Sequence, residues 1–226
     1  MRAVFITGTG TELGKTFVAT GLIRALRREG SSVEAMKPVV TGFDPAAAEE
    51  SDPARLLAAM DRPATPEDIA RISPWRYGAA LSPDMAARVE RRVLDVDEVI
   101  AFCRAAVASV RGTLLIEGVG GIMVPLDDRR TVLDWMAALR LPLILVAGSY
   151  LGTLSHTLTA LDVLARRGLA VAAVIVSESS AATVPLGETM RTLANFTGDL
   201  PLLAVPRLAA DAGHPVFAEL ARRLRR

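Results

Sequence analysis

The sequence predicts an α/β fold, a doubly wound and mainly parallel sheet flanked by helices, on three observations. Short apolar runs alternate with amphipathic stretches of helical period along the 226-residue chain, the pattern of strand–helix units whose sheet is covered on both faces. Glycines and polar residues collect where the apolar runs end, which in such a sheet is the rim that faces ligands. The first run, residues 3–6, passes directly into a glycine-rich turn that opens a helix. With 51% hydrophobic residues the chain can bury one large core, and a single domain over residues 1–226 is expected.

The turn reads Gly8-Thr9-Gly10-Thr11-Glu12-Leu13-Gly14-Lys15-Thr16. Such a turn aims several backbone N–H groups at one point, near the positive end of the helix dipole, and so cradles phosphate. Lys15 then supplies a point charge for the β- and γ-phosphates and Thr16 a hydroxyl for Mg²⁺. Between Gly8 and Gly14 the loop is one residue longer than G-x-x-x-x-G-K-[ST]. A fold of P-loop NTPase type follows, with residues 8–16 as its nucleotide site. Lysine usage adds a second candidate. Of 26 basic residues only Lys15 and Lys37 are lysine, leaving 26 − 2 = 24 arginines. Retained lysines mark places where a compact ammonium is needed, so Lys37 is placed in the same site. Neither lysine lies in a core pattern.

The elements follow in order. The helix after the P-loop runs over 17–28 and is closed by Gly30. A second strand, 33–36, leads into Lys37-Pro38-Val39-Val40-Thr41-Gly42, where Pro38 and Gly42 stop regular structure and leave Lys37 and Thr41 in a loop at the ligand end. Residues 43–83 carry six prolines and a short helix near 54–60, and read as a lid or insertion over the active face rather than as core. Asp52 opens that helix as an N-cap, as a metal ligand, or as both. Residues 95–98 have capping-box spacing and start a helix to about Val110, in whose apolar pattern Cys103 is a core thiol rather than a nucleophile. The strand at 113–116 ends in Glu117-Gly118-Val119-Gly120-Gly121. An acid at the tip of a buried strand is where a P-loop enzyme holds Mg²⁺ or its water; the alternative is a residue beside a tight turn. A helix at 131–139 and an apolar strand at 141–147 come next, then residues 148–156 opening a helix that Gly168 ends, with His156 structural or capping. A strand at 169–176 ends at Ser177-Glu178, a helix covers 184–196, a strand 202–205 stops at Pro206, and a last helix starts at Val216.

Charge and composition exclude other classes. A net charge of +1 gives no electrostatic basis for nucleic acid or an anionic membrane as partner, and the arginines at 222–226 read as a solvated helix end. One cysteine forms no internal disulfide, no signal-peptide pattern precedes the first strand, and the longest apolar runs fall far short of the roughly 20 residues that span a bilayer. A soluble, cytoplasmic protein is expected.

Four motifs in order, namely Gly8 to Thr16, Lys37-Pro38-Val39, Glu117 to Gly121 and Leu151-Gly152-Thr153-Leu154-Ser155-His156, resemble the dethiobiotin synthetase family across about residues 1–206, and the longer P-loop is that family's form. The resemblance implies an ATP-dependent ring closure in biotin biosynthesis, in which 7,8-diaminopelargonate and CO₂ give dethiobiotin, ADP and phosphate through a carbamate and its mixed anhydride with phosphate. It implies that Lys15 and Lys37 neutralise the γ-phosphate and carbamate, and that Thr11 and Thr41 hydrogen-bond the carbamate or phosphate oxygens. Lys15, Lys37 and Thr11 are thus the catalytic set. Thr16, Asp52 and Glu117 hold Mg²⁺ directly or through water, and Glu12 faces the nucleotide or substrate. In the family the substrate carboxylate lies on a helix N-terminus of a partner subunit, which here is Gly152 to Ser155, so a homodimer with shared sites is implied. Two residues depart from the family: Ser155 and Ser177 each stand where it usually has Asn, at the substrate carboxylate and the nucleotide base. Around the base, Ser177, Pro206 and Arg207 are the contact candidates, with Glu178 as a possible substitute for the missing amide. Switch ATPases of similar fold carry an extra lysine early in the loop, where this chain has Gly10, and synthases with an amidotransferase domain need a reactive cysteine that Cys103 does not offer.

Overall fold

In the computed structural model, which describes residues 3–180, 184–208 and 213–225, strand β1 (Ala3–Gly8) is buried along its whole length. Helix α1 (Lys15–Arg28) lays Val18, Leu22, Ile23 and Leu26 into the core. Gly30, at φ 79°, ends it in the left-handed conformation that a side chain disfavours. Strands β2 (Val33–Met36) and β3 (Val39–Thr41) follow, then a 3₁₀ turn (Pro45–Glu50), helices α2 (Asp52–Ala59) and α3 (Pro66–Ile72), strand β4 (Trp75–Tyr77) and helix α4 (Pro83–Val89). The remaining chain alternates α5 (Val96–Ser109), β5 (Thr113–Glu117), α6 (Val132–Leu139), β6 (Leu143–Ala147), α7 (Thr153–Arg166), β7 (Val171–Ser177), α8 (Leu186–Thr197), β8 (Leu202–Val205) and α9 (Pro215–Leu224).

Six strands form one parallel sheet in the order β2-β5-β1-β6-β7-β8. The chain leaves β1 on one side for β2 and later fills the other side, so the rim beyond β1 is the crevice where such sheets bind ligands. Register decides which residues meet there: Ile6 stands opposite Glu117, Met36 opposite Ile116, Gly8 opposite Val146 and Ser177 opposite Val205. Lys37, one residue past Met36, therefore comes beside Glu117. Under the sheet Phe5 meets Trp135 edge-to-face at 4.9 Å. Both are fully buried, and truncating such a side chain to alanine costs about 3–5 kcal/mol. Cys103 is also fully buried, and that burial pushes its thiol up to about 12, which makes it inert as a nucleophile.

Two expectations are corrected. Residues 39–41 are strand, not loop: β3 pairs in parallel with β4 in a separate two-stranded sheet, Thr41 opposite Tyr77. Segment 43–83 does contribute to the core, because Leu56 and Leu57 of α2 are completely buried in it and α2 packs on α1. Three of the six prolines are α-helix starters: Pro53, Pro66 and Pro83 each occupy the first turn of α2, α3 or α4, where the missing N–H costs nothing. The helix ends and strands predicted elsewhere differ by a few residues only. Of the basic tail, Arg226 lies outside the described residues.

Candidate active site

The P-loop leaves β1 with its path held from both sides. Thr9 N–H donates to the Val146 carbonyl at 2.9 Å and Ile122 N–H to the Gly8 carbonyl at 3.1 Å. Gly14 precedes α1 at φ 88°, with no side chain capping the helix, so the N–H groups of the first turn are left for an anion. A Cβ on Gly121 would meet the Thr9 carbonyl oxygen at 3.1 Å and Gly10 N at 3.2 Å. The second glycine-rich run thus packs on the first, a use of Gly118 to Gly121 that spacing alone does not reveal.

Below the loop, four charged groups converge from four elements. Lys37 Nζ contacts both Asp52 Oδ2 and Glu117 Oε1, the latter at 2.8 Å, and Thr16 Oγ1 donates to the same Glu117 oxygen at 2.7 Å. Lys15 Nζ turns back to donate to the Gly10 carbonyl at 2.7 Å. Lys15 and Lys37 are each only 6% exposed and Glu117 is 1% exposed: outside any apolar core pattern, the lysines are nonetheless buried, as part of a polar cluster. Burial, aided by the Lys37 charge, lowers Lys15 to about 8 against the pull of Glu117 and Asp52. Burial also works against the Lys37 ammonium, but Glu117 and Asp52 outweigh it and hold that lysine above its ordinary value. Asp52 shows the converse: burial raises it, and Lys37, Thr16 and Arg55 together outweigh burial and hold it below its ordinary value. The N-cap of α2 is Ser51, whose Oγ accepts from Ala54 N–H, so Asp52 does not cap that helix and is free to hold Lys37.

The donor set suits Mg²⁺. Thr16, Asp52 and Glu117 present only oxygen, Glu117 Oε2 is buried without a hydrogen-bond partner, and a hard cation that keeps several waters needs no more than one or two carboxylates. No cluster of three or more His, Cys, Asp or Glu occurs among the described residues.

Two clefts flank the loop. One, of about 230 Å³, is lined by Glu12, Leu13 and Gly14 together with Ser177, Pro206 and Arg207, which brings the base-contact candidates together. Sequence reasoning missed Phe17, Ser179, Ser180 and Leu208 on the same walls; Phe17 reads as helix core, while the serines could have been found from their place just past a strand end. Glu178 is there too, its Oε2 accepting from Arg207 N–H at 2.9 Å. The other cleft, about 430 Å³, has Thr9, Gly10 and Thr11 on one side and His156 and Thr159 of α7 on the other. Gly152, Thr153, Leu154 and Ser155 line neither cleft. Thr153 is buried with its hydroxyl on the Gly148 carbonyl at 2.7 Å, and Ser155 is exposed at the start of α7. His156 Nδ1 shares a 2.8 Å hydrogen bond with the Tyr150 hydroxyl, a structural partner. Thr41 sits half-buried at the end of β3.

Comparisons with known proteins give the family and the fold. Residues 2–212 match a family model described as an AAA domain. The ATP-dependent dethiobiotin synthetase BioD of Caulobacter vibrioides is 51% identical over 215 residues, which is 94% of this chain and 96% of that protein. The enzyme of the same name from Acidiphilium cryptum is 46% identical over 202 residues, 89% and 91% of the two chains. Among solved structures, the septum site-determining protein MinD from Pyrococcus horikoshii, complexed with Mg-ADP, superposes with a TM-score of 0.55 over 99% of this chain and 95% of that one, at 16% identity. That likeness is one of fold.

Proposed function

The chain belongs to the ATP-dependent dethiobiotin synthetase family and is a ligase that forms dethiobiotin in biotin biosynthesis; from that premise we propose how its own residues carry the reaction, starting from 7,8-diaminopelargonate, CO₂ and ATP in the cytoplasm. One amine of the substrate takes up CO₂ as a carbamate. A carbamate oxygen attacks the γ-phosphorus and ADP leaves, giving a carbamic–phosphoric anhydride. The second amine attacks its carbonyl carbon, phosphate departs, and the ureido ring closes.

Phosphoryl transfer asks a protein for positioning and charge neutralisation more than for covalent chemistry. The free N–H groups of α1 and Lys15 hold the β- and γ-phosphates. Lys37 has three donors, two of them engaged by Asp52 and Glu117, and the third is left for the carbamate oxygen. Being held charged by two carboxylates, it arrives oriented. Thr11 and Thr41 donate to carbamate or phosphate oxygens, Glu12 borders the nucleotide, and Ser177, Pro206 and Arg207 surround the base. Mg²⁺ held by Thr16, Asp52 and Glu117 supplies, when bound, positive charge to the phosphate oxygens. Gly152 to Ser155 serve a second copy of the chain, whose substrate carboxylate takes the N-terminus of α7, so the working form is a homodimer.

The observation that carries this reading is the cluster in which Lys37 bonds both Asp52 and Glu117 while Glu117 also takes the hydroxyl of the P-loop residue Thr16. It is tested by phosphate release from ATP with Mg²⁺ and bicarbonate, with and without the diamine, the product being weighed by mass spectrometry. Diamine-dependent release matched mole for mole by dethiobiotin is expected; release indifferent to the diamine overturns the reading. A verified heterodimer of Lys15→Ala with a Gly152→Pro chain should recover activity at one of its two sites, and no recovery would remove α7 from the partner's site.

A further inference from the structure

Away from the rim, a cavity of about 610 Å³ lies between the 3₁₀ turn, α3 and the small sheet. Its size falls within the roughly 300–1,000 Å³ of small-molecule sites. Most of its wall is apolar, with Phe43, Ala48, Pro66 and Ile69 among the contributors, and its polar part is formed by Arg76, Arg92 and Glu90. None of these residues belongs to the nucleotide or substrate sites described above.

The charges on that wall do not balance. Glu90 is already committed: its Oε1 accepts from Gly78 N–H at 2.6 Å and Ala79 N–H at 3.2 Å, and its Oε2 takes Arg92 Nη1 at 3.2 Å. Arg92 lies over the Tyr77 ring and also donates to the Arg76 carbonyl at 2.6 Å. Arg76 stacks on the Phe43 ring and donates to the Ser73 carbonyl, but it pairs with no carboxylate among the described residues. Burial and the neighbouring Arg92 charge both act against its guanidinium, which lies below its ordinary value. With two arginines and one glutamate the wall carries one net positive charge. A partly desolvated cation without a counter-ion, beside a like charge and an apolar hollow, is complementary to a monoanion with an apolar body.

We propose that this cavity binds an aliphatic monocarboxylate, its headgroup on the free donors of Arg76 and Arg92 and its chain along Phe43, Ala48, Pro66 and Ile69. A fork of guanidinium donors matches a planar carboxylate better than a spherical anion. The 3₁₀ turn that contributes Ala48 runs into Ser51 and Asp52, so the ligand lies next in sequence to the carboxylate that holds Lys37.

The test is calorimetric titration of the full chain with sodium octanoate, with sulfate and 1-octanol as probes of the charge alone and the chain alone. Saturable binding of one octanoate per chain is expected, with both partial probes at least tenfold weaker. Arg76→Gln should weaken octanoate at least tenfold, and Ala64→Trp, which fills the hollow from a half-buried loop position, should abolish it. Both variants should keep the thermal melting and the phosphate release of the parent, since neither residue touches the catalytic rim. Octanoate bound equally by parent and both variants, or displaced in Lys37→Ala while surviving in Arg76→Gln, assigns it to the catalytic face and overturns the proposal. So does sulfate binding as tightly as octanoate, or no saturable binding at all. The proposal does not depend on the reaction assigned above, and dethiobiotin formation can stand if it fails.

Discussion

Lys15 and Lys37 lie on the same rim, are equally buried, and are the chain's two lysines, yet their surroundings drive them in opposite directions. Lys37 is clamped between two carboxylates and held above its ordinary value, whereas Lys15 donates to a neutral carbonyl and falls to about 8. Burial lowers both; what differs is whether a counter-ion is built in. Lys37 has its counter-ions built into the protein's own ion network. Lys15 is a cation whose counter-ion has to come from the ligand, and the N-terminus of α1 beside it lacks a cap for the same reason.

That contrast can be broken most strongly at the level of turnover. Lys15→Ala should lower kcat by about a thousandfold or more, because the charge it places on the transferring phosphoryl group has no substitute; phosphate-release kinetics within tenfold of the parent would remove it from the reaction. Stability should separate the two lysines next. Lys37→Met leaves Glu117 and Asp52 facing each other without their cation, one of them fully buried, and should cost about 3 kcal/mol or more in urea unfolding. Lys15→Met removes a desolvated charge and should leave the unliganded protein as stable as before or more so. Equal losses in the two variants would contradict the difference in their surroundings.

Smaller effects follow from titration. A lysine lowered to about 8 from 10.5 disfavours the folded state fully below pH 8, and that penalty is relieved as pH rises from about 8 to 10.5, since the unfolded chain then binds the extra proton. Lys37 contributes in the other direction, with stabilisation present below 10.5 and lost as pH rises through its higher folded value. Asp52 stabilises above 3.8, and that contribution is lost as pH falls through its lowered folded value. Nucleotide phosphate should return the proton to Lys15, so Mg-ATP binding near pH 8.5 should take up a fraction of a proton. Calorimetry in buffers of different ionisation enthalpy measures it, and the uptake should vanish in Lys15→Met. The smallest expected effect is at Gly14, where alanine would hold φ 88° with its Cβ 3.0 Å from Ser177 Oγ. A loss of about 1–2 kcal/mol and a raised KM for ATP are expected, against no change if the loop relaxes freely.

The placement of these residues on one rim is legible in the sequence. The P-loop, Glu117 at its strand tip, and Ser177 and Pro206 at theirs all follow from where apolar runs stop, because a parallel sheet puts every such stop on one rim. Segment 43–83 was not readable: its prolines have the same appearance in a sequence whether they break helices or start them, and only the burial of Leu56 and Leu57 distinguishes the two. The small β3–β4 sheet was hidden for a related reason, since Pro38 and Gly42 frame a strand of three residues whose hydrogen-bonding partner lies beyond two helices.

What the sequence determined by itself is the phosphate cradle, because a run of backbone N–H groups opening a helix is a local object made by consecutive residues. The partnership of Lys37 with Asp52 and Glu117 is not local, its members lying 15 and 80 residues apart. It exists because β2 pairs with β5 in the register that sets Met36 opposite Ile116, and because α2 begins at Asp52 once Ser51 has taken the cap. Lysine usage could point to two special cations. Which of them has its counter-ion built in, and which waits for a ligand to supply one, depends on the distance to carboxylates that only the folded sheet brings near.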